Sequence, residues 1–427
     1  MFDWANSVFS LVIISTIFPI YYNAVTVVDG VDVVNFFGLE IINSVLFSYS
    51  LSFSFVLIAA LLPLLTGIAD VGGSKKLFMQ LFTYAGGIAC IGLFFFTGPN
   101  IEFGMICLII ASFSFSGSLV FYNSYLPEIV SFDQYDRISA KGFSYGYVGS
   151  VILLVLNLIM IQQPHWFGIT QGFATKFSFL LVGIWWIGFA QFSFNRLPTN
   201  PYNKKPTKGY LLKGYREIQM VFKSLKRLPA LKTYLLAFFF YNTGVQTVMY
   251  LAALFADKEL KMESGELIVT ILIIQLVAIL GSTLFARLSD RKGNKFSLIS
   301  MVIIWVGICV AAYLTTNKYE FFALAAVVGM VMGGIQALSR ATYSKLIPSD
   351  TIDHASYFSF YDVTFNVSIV VGTFTYGFVE QLTGSMRNSA LALGVFFIIG
   401  LVLLAFIKIP RTVLSSPKLT ESKGVAS

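Results

Sequence analysis

The sequence predicts an all-α membrane protein: twelve transmembrane helices arranged as two pseudo-symmetric bundles of six. Hydrophobic residues make up 56% of the 427 residues and charged residues only 12%, whereas soluble proteins carry about 25% charged residues. Apolar runs long enough to cross a bilayer recur along the chain between short polar loops. The two halves of the chain also repeat one polar loop motif at corresponding places, which indicates an internal duplication.

The twelve apolar runs are called spans 1 to 12 below. They are predicted at residues 4–28, 46–69, 77–97, 103–127, 141–161, 177–195, 232–256, 266–288, 296–316, 320–346, 356–381 and 388–408. Span 1 starts almost at Met1, without a basic segment before it or a small-residue cleavage site after it. It is therefore expected to be a permanent helix and not a signal peptide.

Cysteine and histidine are too sparse for a metal site. Cys90, Cys107 and Cys309 lie in separate apolar runs, and His165 and His354 lie in different loops. We therefore expect no metal, haem or other cofactor. The chain also lacks the phosphate-binding pattern G-x-x-x-x-G-K-[ST], so ATP hydrolysis is not expected to drive it.

The basic residues predict the orientation in the membrane. If the amino terminus is cytoplasmic, the cytoplasmic segments hold most Lys and Arg, including Lys75, Arg137, Arg291 and Lys345, while the outer loops hold many carboxylates. This asymmetry follows the positive-inside rule and places both termini in the cytoplasm. The net charge of +8 is then a topology signal, and no nucleic-acid partner is expected. The one N-x-[ST] sequon lies inside a predicted span, which fits a bacterial inner membrane.

Four segments are predicted from this pattern. Residues 1–195 and 232–410 form the two bundles, residues 196–231 a cytoplasmic linker, and residues 411–427 a disordered cytoplasmic tail. The linker contains an amphipathic helix suited to the lipid surface, although a partner-binding helix is the alternative. Its predicted apolar face consists of Leu211, Tyr215, Ile218, Phe222 and Leu225.

The repeated loop motif follows spans 2 and 8. Its residues are Asp70, Gly73 and Lys75 in the first half and Asp290, Arg291, Gly293 and Lys295 in the second half. Asp70 lies 57 residues before Pro127, and Asp290 lies 58 residues before Pro348. Each proline lies at the end of the fourth span of its half. Chance is therefore a poor explanation for the nearly equal spacing of aspartate and proline in the two halves.

Span 10 ends in a polar stretch. Gln336, Ser339, Arg340 and Tyr343 recur at helical spacing and share one face. An arginine inside a span costs about 2.5–3.5 kcal/mol, so it should face a partner or a wet cavity. A buried polar pathway is our preferred interpretation, and an arginine that snorkels to the interface is the alternative.

The loop motif resembles the signature of the major facilitator superfamily, G-x-x-x-D-[RK]-x-G-[RK]-[RK]. The second copy matches better, because Val71 replaces the basic residue after Asp70 in the first. In that superfamily the loop aspartate and the basic residues tie helix ends together when the protein faces outward. The resemblance implies the same role for Asp70, Gly73, Lys75 and their counterparts in the second half.

A narrower resemblance covers nearly the whole chain. Blocks such as Phe2–Ser7, Asn123–Ile129, Ile138–Gly149, Tyr241–Thr247 and Gly334–Arg340 are similar to hallmarks of the "unknown major facilitator" family. That family is related to the vacuolar amino-acid effluxers of autophagy, which implies an amino-acid cargo. One departure is that a threonine stands where the family has an acidic residue within the fourth block, so no carboxylate role is carried over there.

The superfamily resemblance implies that spans 1, 4, 7 and 10 line the cavity. Residues on these spans agree, because amides and hydroxyls recur near mid-membrane, where they suit a small polar solute. The predicted substrate-binding residues are Asn6, Ser10, Asn123, Asn242, Gln246, Tyr250 and Gln336. Hydrogen bonding between helices is the structural alternative. Gly142, Gly146 and Gly149 of span 5 are expected to permit close helix packing.

Four carboxylates lie at or inside span ends: Asp3, Glu128, Asp362 and Glu380. We predict that Arg340 pairs with Asp362, because both lie at a similar depth, and that the pair forms a proton-sensitive gate. Asp3 and Glu128 are the rival partners for Arg340, and either would move the gate to the interface between the halves.

These observations together predict a secondary active transporter that works by alternating access on a small polar or zwitterionic solute. Its movement would be coupled to a proton or sodium gradient, and a monomer in the lipid bilayer is expected. A non-transporting receptor or regulatory membrane protein is the alternative. A membrane enzyme is disfavoured, because the sequence shows no nucleophile–base constellation.

Overall fold

A computed structural model describes residues 1–27, 33–199, 210–262, 264–348 and 351–407. Within these ranges, twelve helices are long and apolar enough to cross a membrane. Spans 1 to 12 run Phe2–Thr26, Asn43–Gly72, Lys75–Leu93, Ile101–Asn123, Tyr135–Gln162, Gln171–Phe194, Pro229–Leu260, Ser264–Lys292, Asn294–Leu314, Lys318–Leu346, His354–Thr383 and Met386–Phe406. Each overlaps one predicted span, and the largest boundary difference is six residues.

Span 1 is not a regular α-helix throughout. A π-helical segment, Phe9–Ile17, separates α-helical turns at Phe2–Val8 and Phe18–Thr26. Within it the Ser15 hydroxyl donates to a main-chain carbonyl five residues earlier, at 2.9 Å. This spacing belongs to the wider π turn, a feature that occurs often at functional sites. The sequence pattern did not predict it.

The two halves meet along two seams. Span 2 packs against span 11, and span 5 packs against spans 8 and 10. Across the second seam the hydroxyls of Ser144 and Ser282 lie 2.6 Å apart, and Ser139 donates to the Ala337 carbonyl at 2.7 Å. The cavity described below lies between these seams.

The predicted amphipathic helix of the linker is Tyr210–Arg227. It packs against span 2 of the first half and span 11 of the second, with Val221 and Leu225 buried. Two residues of the predicted apolar face, Tyr215 and Phe222, are 55% and 51% exposed, and their contact with the lipid surface stays a prediction. The side that contacts the protein runs through Val221 and Leu225, and the Phe222 ring also packs against Phe360 of span 11 with 6.1 Å between ring centroids.

Short elements connect the spans. A two-stranded antiparallel hairpin, Val33–Phe36 with Leu39–Ile42, precedes span 2. Short helices stand at Gly98–Asn100, Leu126–Ile129, Phe132–Gln134 and Pro164–Phe167. The predicted tail at 411–427 and residues 200–209 of the predicted linker lie outside the described residues.

Candidate functional site

A cavity of about 230 Å³ lies between the two halves. It is lined by spans 1, 2, 4, 5, 7, 8, 10 and 11, and its wall combines aromatic rings with amides, hydroxyls and three charged groups. The seven predicted substrate-binding residues all line it: Asn6, Ser10, Asn123, Asn242, Gln246, Tyr250 and Gln336. Among the predicted gating residues, Asp3, Arg340 and Asp362 also line it. Contact between these side chains and a solute stays a prediction.

Arg340 connects the second half to three spans of the first half. Its Nε donates to the Ser139 hydroxyl at 2.9 Å, and its Nη2 donates to the Ser139 carbonyl at 3.1 Å. Its Nη1 lies 3.2 Å from Asn123 Oδ1 and 3.5 Å from Asp3 Oδ1. The guanidinium also stands 4.5 Å from the centre of the Phe143 ring. Arg340 is therefore buried in a polar site, as our preferred interpretation predicts, and does not snorkel to the interface.

Two glycines of span 5 make room for this contact. A Cβ at Gly142 would stand 2.3 Å from Asp3 Oδ2 and 3.0 Å from Arg340 Nη2. A Cβ at Gly146 would stand 2.4 Å from the Ser7 hydroxyl. The close approach of span 1 to span 5 therefore requires these glycines, as the sequence predicts.

The predicted pair between Arg340 and Asp362 is not formed. Arg340 turns toward the first half and pairs with Asp3, one of the two rival partners. The other rival, Glu128, pairs instead with Lys75 of its own half. Equal depth suggested the Asp362 pairing, but depth does not fix the direction in which a side chain leaves its helix.

Asp3 also accepts a hydrogen bond from the Tyr122 hydroxyl of span 4. Sequence reasoning missed this tyrosine, although it precedes Asn123 directly. It missed Tyr147 as well, whose hydroxyl donates to Gln336 Oε1 at 2.8 Å across the interface between the halves. Aromatic residues are so frequent in this chain that no sequence signal separates these two from packing residues.

The first copy of the loop motif is buried and contacts the second half. Asp70 Oδ2 accepts a 2.6 Å hydrogen bond from the backbone N–H of Ser356, near the start of span 11. Lys75 Nζ lies 3.9 Å from Asp70 Oδ1 and pairs with Glu128. Gly73 ends span 2 with φ +62°, a conformation that favours glycine.

The second copy contacts the first half by a side-chain pair. Asp290 Oδ2 lies 2.9 Å from Arg137 Nε near the start of span 5. Gly293 has φ +87° between spans 8 and 9. Arg291 is exposed, and Lys295 Nζ donates to a carbonyl near the end of span 12 at 2.6 Å.

A buried charged cluster beside these motifs was not predicted. Lys345 Nζ of span 10 lies 2.8 Å from Asp136 Oδ2 of span 5 and 2.8 Å from Asn294 Oδ1. The Asn294 amide donates to Asp136 Oδ1 at 2.8 Å, and Ser289 donates to Asp136 Oδ2 at 2.9 Å. The sequence did not predict this cluster for two reasons. The positive-inside rule already accounted for a lysine at position 345, and no sequence pattern links Asp136, Asn294 and Lys345, which are far apart in the chain.

The model of the vacuole effluxer Atg22-like family matches residues 1–414. The chain belongs to this family. The MFS-type transporter YxiO of Bacillus subtilis (strain 168) is similar to this chain, with 29% identity over 410 residues that cover 95% of this chain and 93% of YxiO. Autophagy-related protein 22 of Yarrowia lipolytica is 24% identical over 465 residues, covering 87% of this chain and 77% of the relative.

Solved structures of major facilitator superfamily (MFS) transporters share the fold of this Atg22-like chain. FucP in its outward conformation has a TM-score of 0.70 at 13% identity, with 96% of this chain and 97% of FucP covered. The proton:xylose symporter XylE has a TM-score of 0.70 at 14% identity, with 96% and 94% covered. The predicted fold of two six-helix bundles is confirmed. The chain is a multi-pass membrane protein and a secondary transporter, not an enzyme.

Proposed function

We propose that this Atg22-like protein moves a small polar organic solute, with amino acids as the first candidates, through the cavity between its halves. The observation that carries the proposal is the cavity itself. It offers amides and hydroxyls from both halves together with the cationic Arg340 and the carboxylate of Asp362, a combination that suits a zwitterion. The similarity to Autophagy-related protein 22 and the family description as effluxers support transport of this kind.

Alternating access is supported by where the halves touch. The amino-terminal face is the face of the molecule at which span 1 begins and span 2 ends. Contacts between the halves cluster there: Asp70 with Ser356, Arg137 with Asp290, and Asp136 with Lys345. These contacts close the cavity on one side and must break if that side is to open.

We further propose that the amino-terminal face is cytoplasmic, in the inner membrane of a bacterium. The positive-inside asymmetry of the loops and the similarity to a Bacillus subtilis protein support this placement. The described conformation would then face outward, like the FucP structure to which it is similar. Residues 1–195 and 232–410 are the two proposed rocking units.

Asn242, Gln246 and Gln336 are the proposed solute contacts in the second half, with Asn6, Ser10, Asn123 and Tyr250 around them. Gln336 already accepts a hydrogen bond from the first half, so a solute bound here would be held by both halves. The same proposal includes the coupling of solute movement to a proton or sodium gradient.

Uptake into proteoliposomes tests the function. Labelled amino acids, sugars and nucleosides should be offered under proton and sodium gradients, after a thermal-shift screen of the purified protein for stabilising solutes. Gln246→Ala and Gln336→Ala should lower uptake at least tenfold while membrane insertion is unchanged. Gln191→Ala is the matched control, because Gln191 bonds to Tyr84 and lies outside the cavity lining. If no solute moves under any gradient, the receptor alternative replaces this proposal.

A further inference from the structure

Spans 7 and 11 carry a buried polar cluster on the second half's side of the cavity. Gln246 donates to Asn242 Oδ1 at 3.2 Å, and Asn242 donates to the Ser368 hydroxyl at 2.6 Å. Ser368 donates in turn to a main-chain carbonyl of its own helix at 2.7 Å. One amide hydrogen of Gln246, one of Asn242 and the Ser368 hydroxyl hydrogen are therefore directed at one another or at the backbone.

Asp362 and Asn366 stand one turn apart on span 11 in the same cavity wall. The Asn366 side-chain amide donates one of its hydrogens to the Asp362 main-chain carbonyl at 2.7 Å. That bond fixes the amide and leaves its oxygen on the other side. Within the described residues, Asp362 Oδ2 and Asn366 Oδ1 are buried oxygens that accept no hydrogen bond.

Both side chains are more than nine-tenths buried, with exposed fractions of 7% for Asp362 and 3% for Asn366. Asp362 lies eight residues into span 11, about 12 Å along the helix. None of the ion pairs among the described residues involves it. A carboxylate that stays ionised at such a depth needs a positive partner, because burying an uncompensated charge is costly.

The nearby side chains do not supply that partner. The charged or titratable groups that interact electrostatically with Asp362 are Arg340 and Tyr343 of span 10 and Tyr361 of span 11. Arg340 directs its nitrogens to Asp3 and other groups of the first half. Tyr343 donates to a main-chain carbonyl at 2.5 Å. Two residues of the cavity wall, Asp362 and Asn366, therefore each hold a buried oxygen that accepts no hydrogen bond from the described residues.

We propose that Asp362 and Asn366 form a Na⁺ site through their side-chain oxygens, in a part of the transporter separate from the Arg340–Asp3 contact. Oxygen donors suit hard cations, and a monovalent ion neutralises one carboxylate without excess charge. Secondary transporters bind Na⁺ near the bilayer midplane through oxygen ligands, among them backbone carbonyls. The inference rests on the proposed function in one respect only: the bound ion would couple the solute to a gradient.

Ion binding to the purified full-length protein tests the site without any solute. Melting temperature should be measured at pH 8 in NaCl, KCl, NH₄Cl and choline chloride at equal ionic strength. The parent should be stabilised in a saturable way by NaCl alone, because a ligand that prefers the folded state raises stability. Asp362→Asn should abolish the response, and Asn366→Ala should weaken apparent Na⁺ affinity at least tenfold.

Two controls keep this test decisive. Asp133→Asn changes an exposed carboxylate outside the cavity lining and should keep the full Na⁺ response. Asp362→Asn should melt higher than the parent in choline chloride, because it removes an uncompensated buried charge. An Asp362→Asn protein that fails to fold, or that melts lower there, contradicts the proposed charge imbalance.

Several outcomes overturn the site. They are a parent response to NaCl no larger than to choline or KCl, stabilisation by NH₄Cl but not NaCl, or a retained Na⁺ response in Asp362→Asn. The first outcome is expected if a proton, and not Na⁺, neutralises the Asp362 carboxylate. The second outcome would indicate that the site binds an ammonium group of the solute. Solute uptake driven by a proton gradient in Na⁺-free buffer would reject the Na⁺ site while leaving the proposed function intact. Na⁺ binding without uptake of any solute would support the Na⁺ site and reject the proposed transport function.

Discussion

The two copies of the loop motif have nearly the same spacing but make different contacts with the opposite half. In the first copy, Asp70 is fully buried and bonds to a backbone N–H at the start of span 11. In the second copy, Asp290 pairs with Arg137, whose side chain is 74% exposed. The copy that departs from the superfamily pattern thus makes the buried contact, and the better match makes the exposed one.

This difference has a physical origin in the neighbouring residues. Val71 supplies no cation directly after Asp70, so the carboxylate lies 3.9 Å from the more distant Lys75 and also meets the positive end of the span 11 helix. In the second half, the buried charged contact with the opposite half is made by Lys345, which lies outside the motif and pairs with Asp136 across the seam. Similarity to a motif therefore does not rank the contacts by strength, whereas burial and partner geometry do.

The largest expected effect is at the buried cluster. Lys345→Ala would leave Asp136 buried without its cation, and breaking such a pair costs about 3–5 kcal/mol. The amino-terminal face should open, since this pair joins the halves. Spin labels at Gln134 and Lys292, both exposed and on opposite sides of the seam, should report longer distances in this variant than in the parent. An unchanged distance distribution would show that the cluster does not hold the face closed.

An intermediate effect is expected at the first motif copy. Asp70→Ala removes a charged acceptor from the start of span 11, and such a hydrogen bond contributes about 2 kcal/mol. The same spin labels should show a partial shift to longer distances. Asp133→Ala is the matched control, because Asp133 is an exposed carboxylate near the same face. Equal behaviour of the two variants would remove Asp70 from the closing contacts.

The smallest effect is expected at the second motif copy. Arg137→Ala breaks a largely exposed pair, which is worth about 0–1 kcal/mol. Any destabilisation should fade as salt is raised, since exposed charges are screened. If Arg137→Ala destabilised the protein as much as Lys345→Ala does, exposure would be a poor guide to the strength of this contact. The motif copy that matches the superfamily pattern better would then also make the stronger contact between the halves.

Hydropathy predicted the fold well, because a helix in lipid must be apolar along its whole length. All seven proposed substrate-binding residues line the cavity, since polar groups in a span must face protein or water. The partner of Arg340 was not predictable in the same way. Its depth follows from its position in span 10, but its direction depends on space beside span 5 that Gly142 provides.

The cluster of Asp136, Asn294 and Lys345 was missed for a related reason. Each residue lies at a span end, where polar and charged groups are ordinary. Only the packing of span 10 against both span 5 and span 9 brings them together. The π-helical part of span 1 also left no signal, since its composition is that of any apolar helix.

The contact between Arg340 and Asp3 joins the cavity to the closing face, and a double-mutant cycle on solute uptake tests it most directly. Arg340→Ala and Asp3→Ala should each lower solute uptake strongly. The double variant should take up solute no more slowly than the less active of the two single variants, because the same contact is lost in all three. Asp362→Ala combined with Arg340→Ala should instead show only weak coupling, because the ion pair of Arg340 is with Asp3. Strict additivity between Arg340 and Asp3, or strong coupling between Arg340 and Asp362, would contradict a gate built across the two halves.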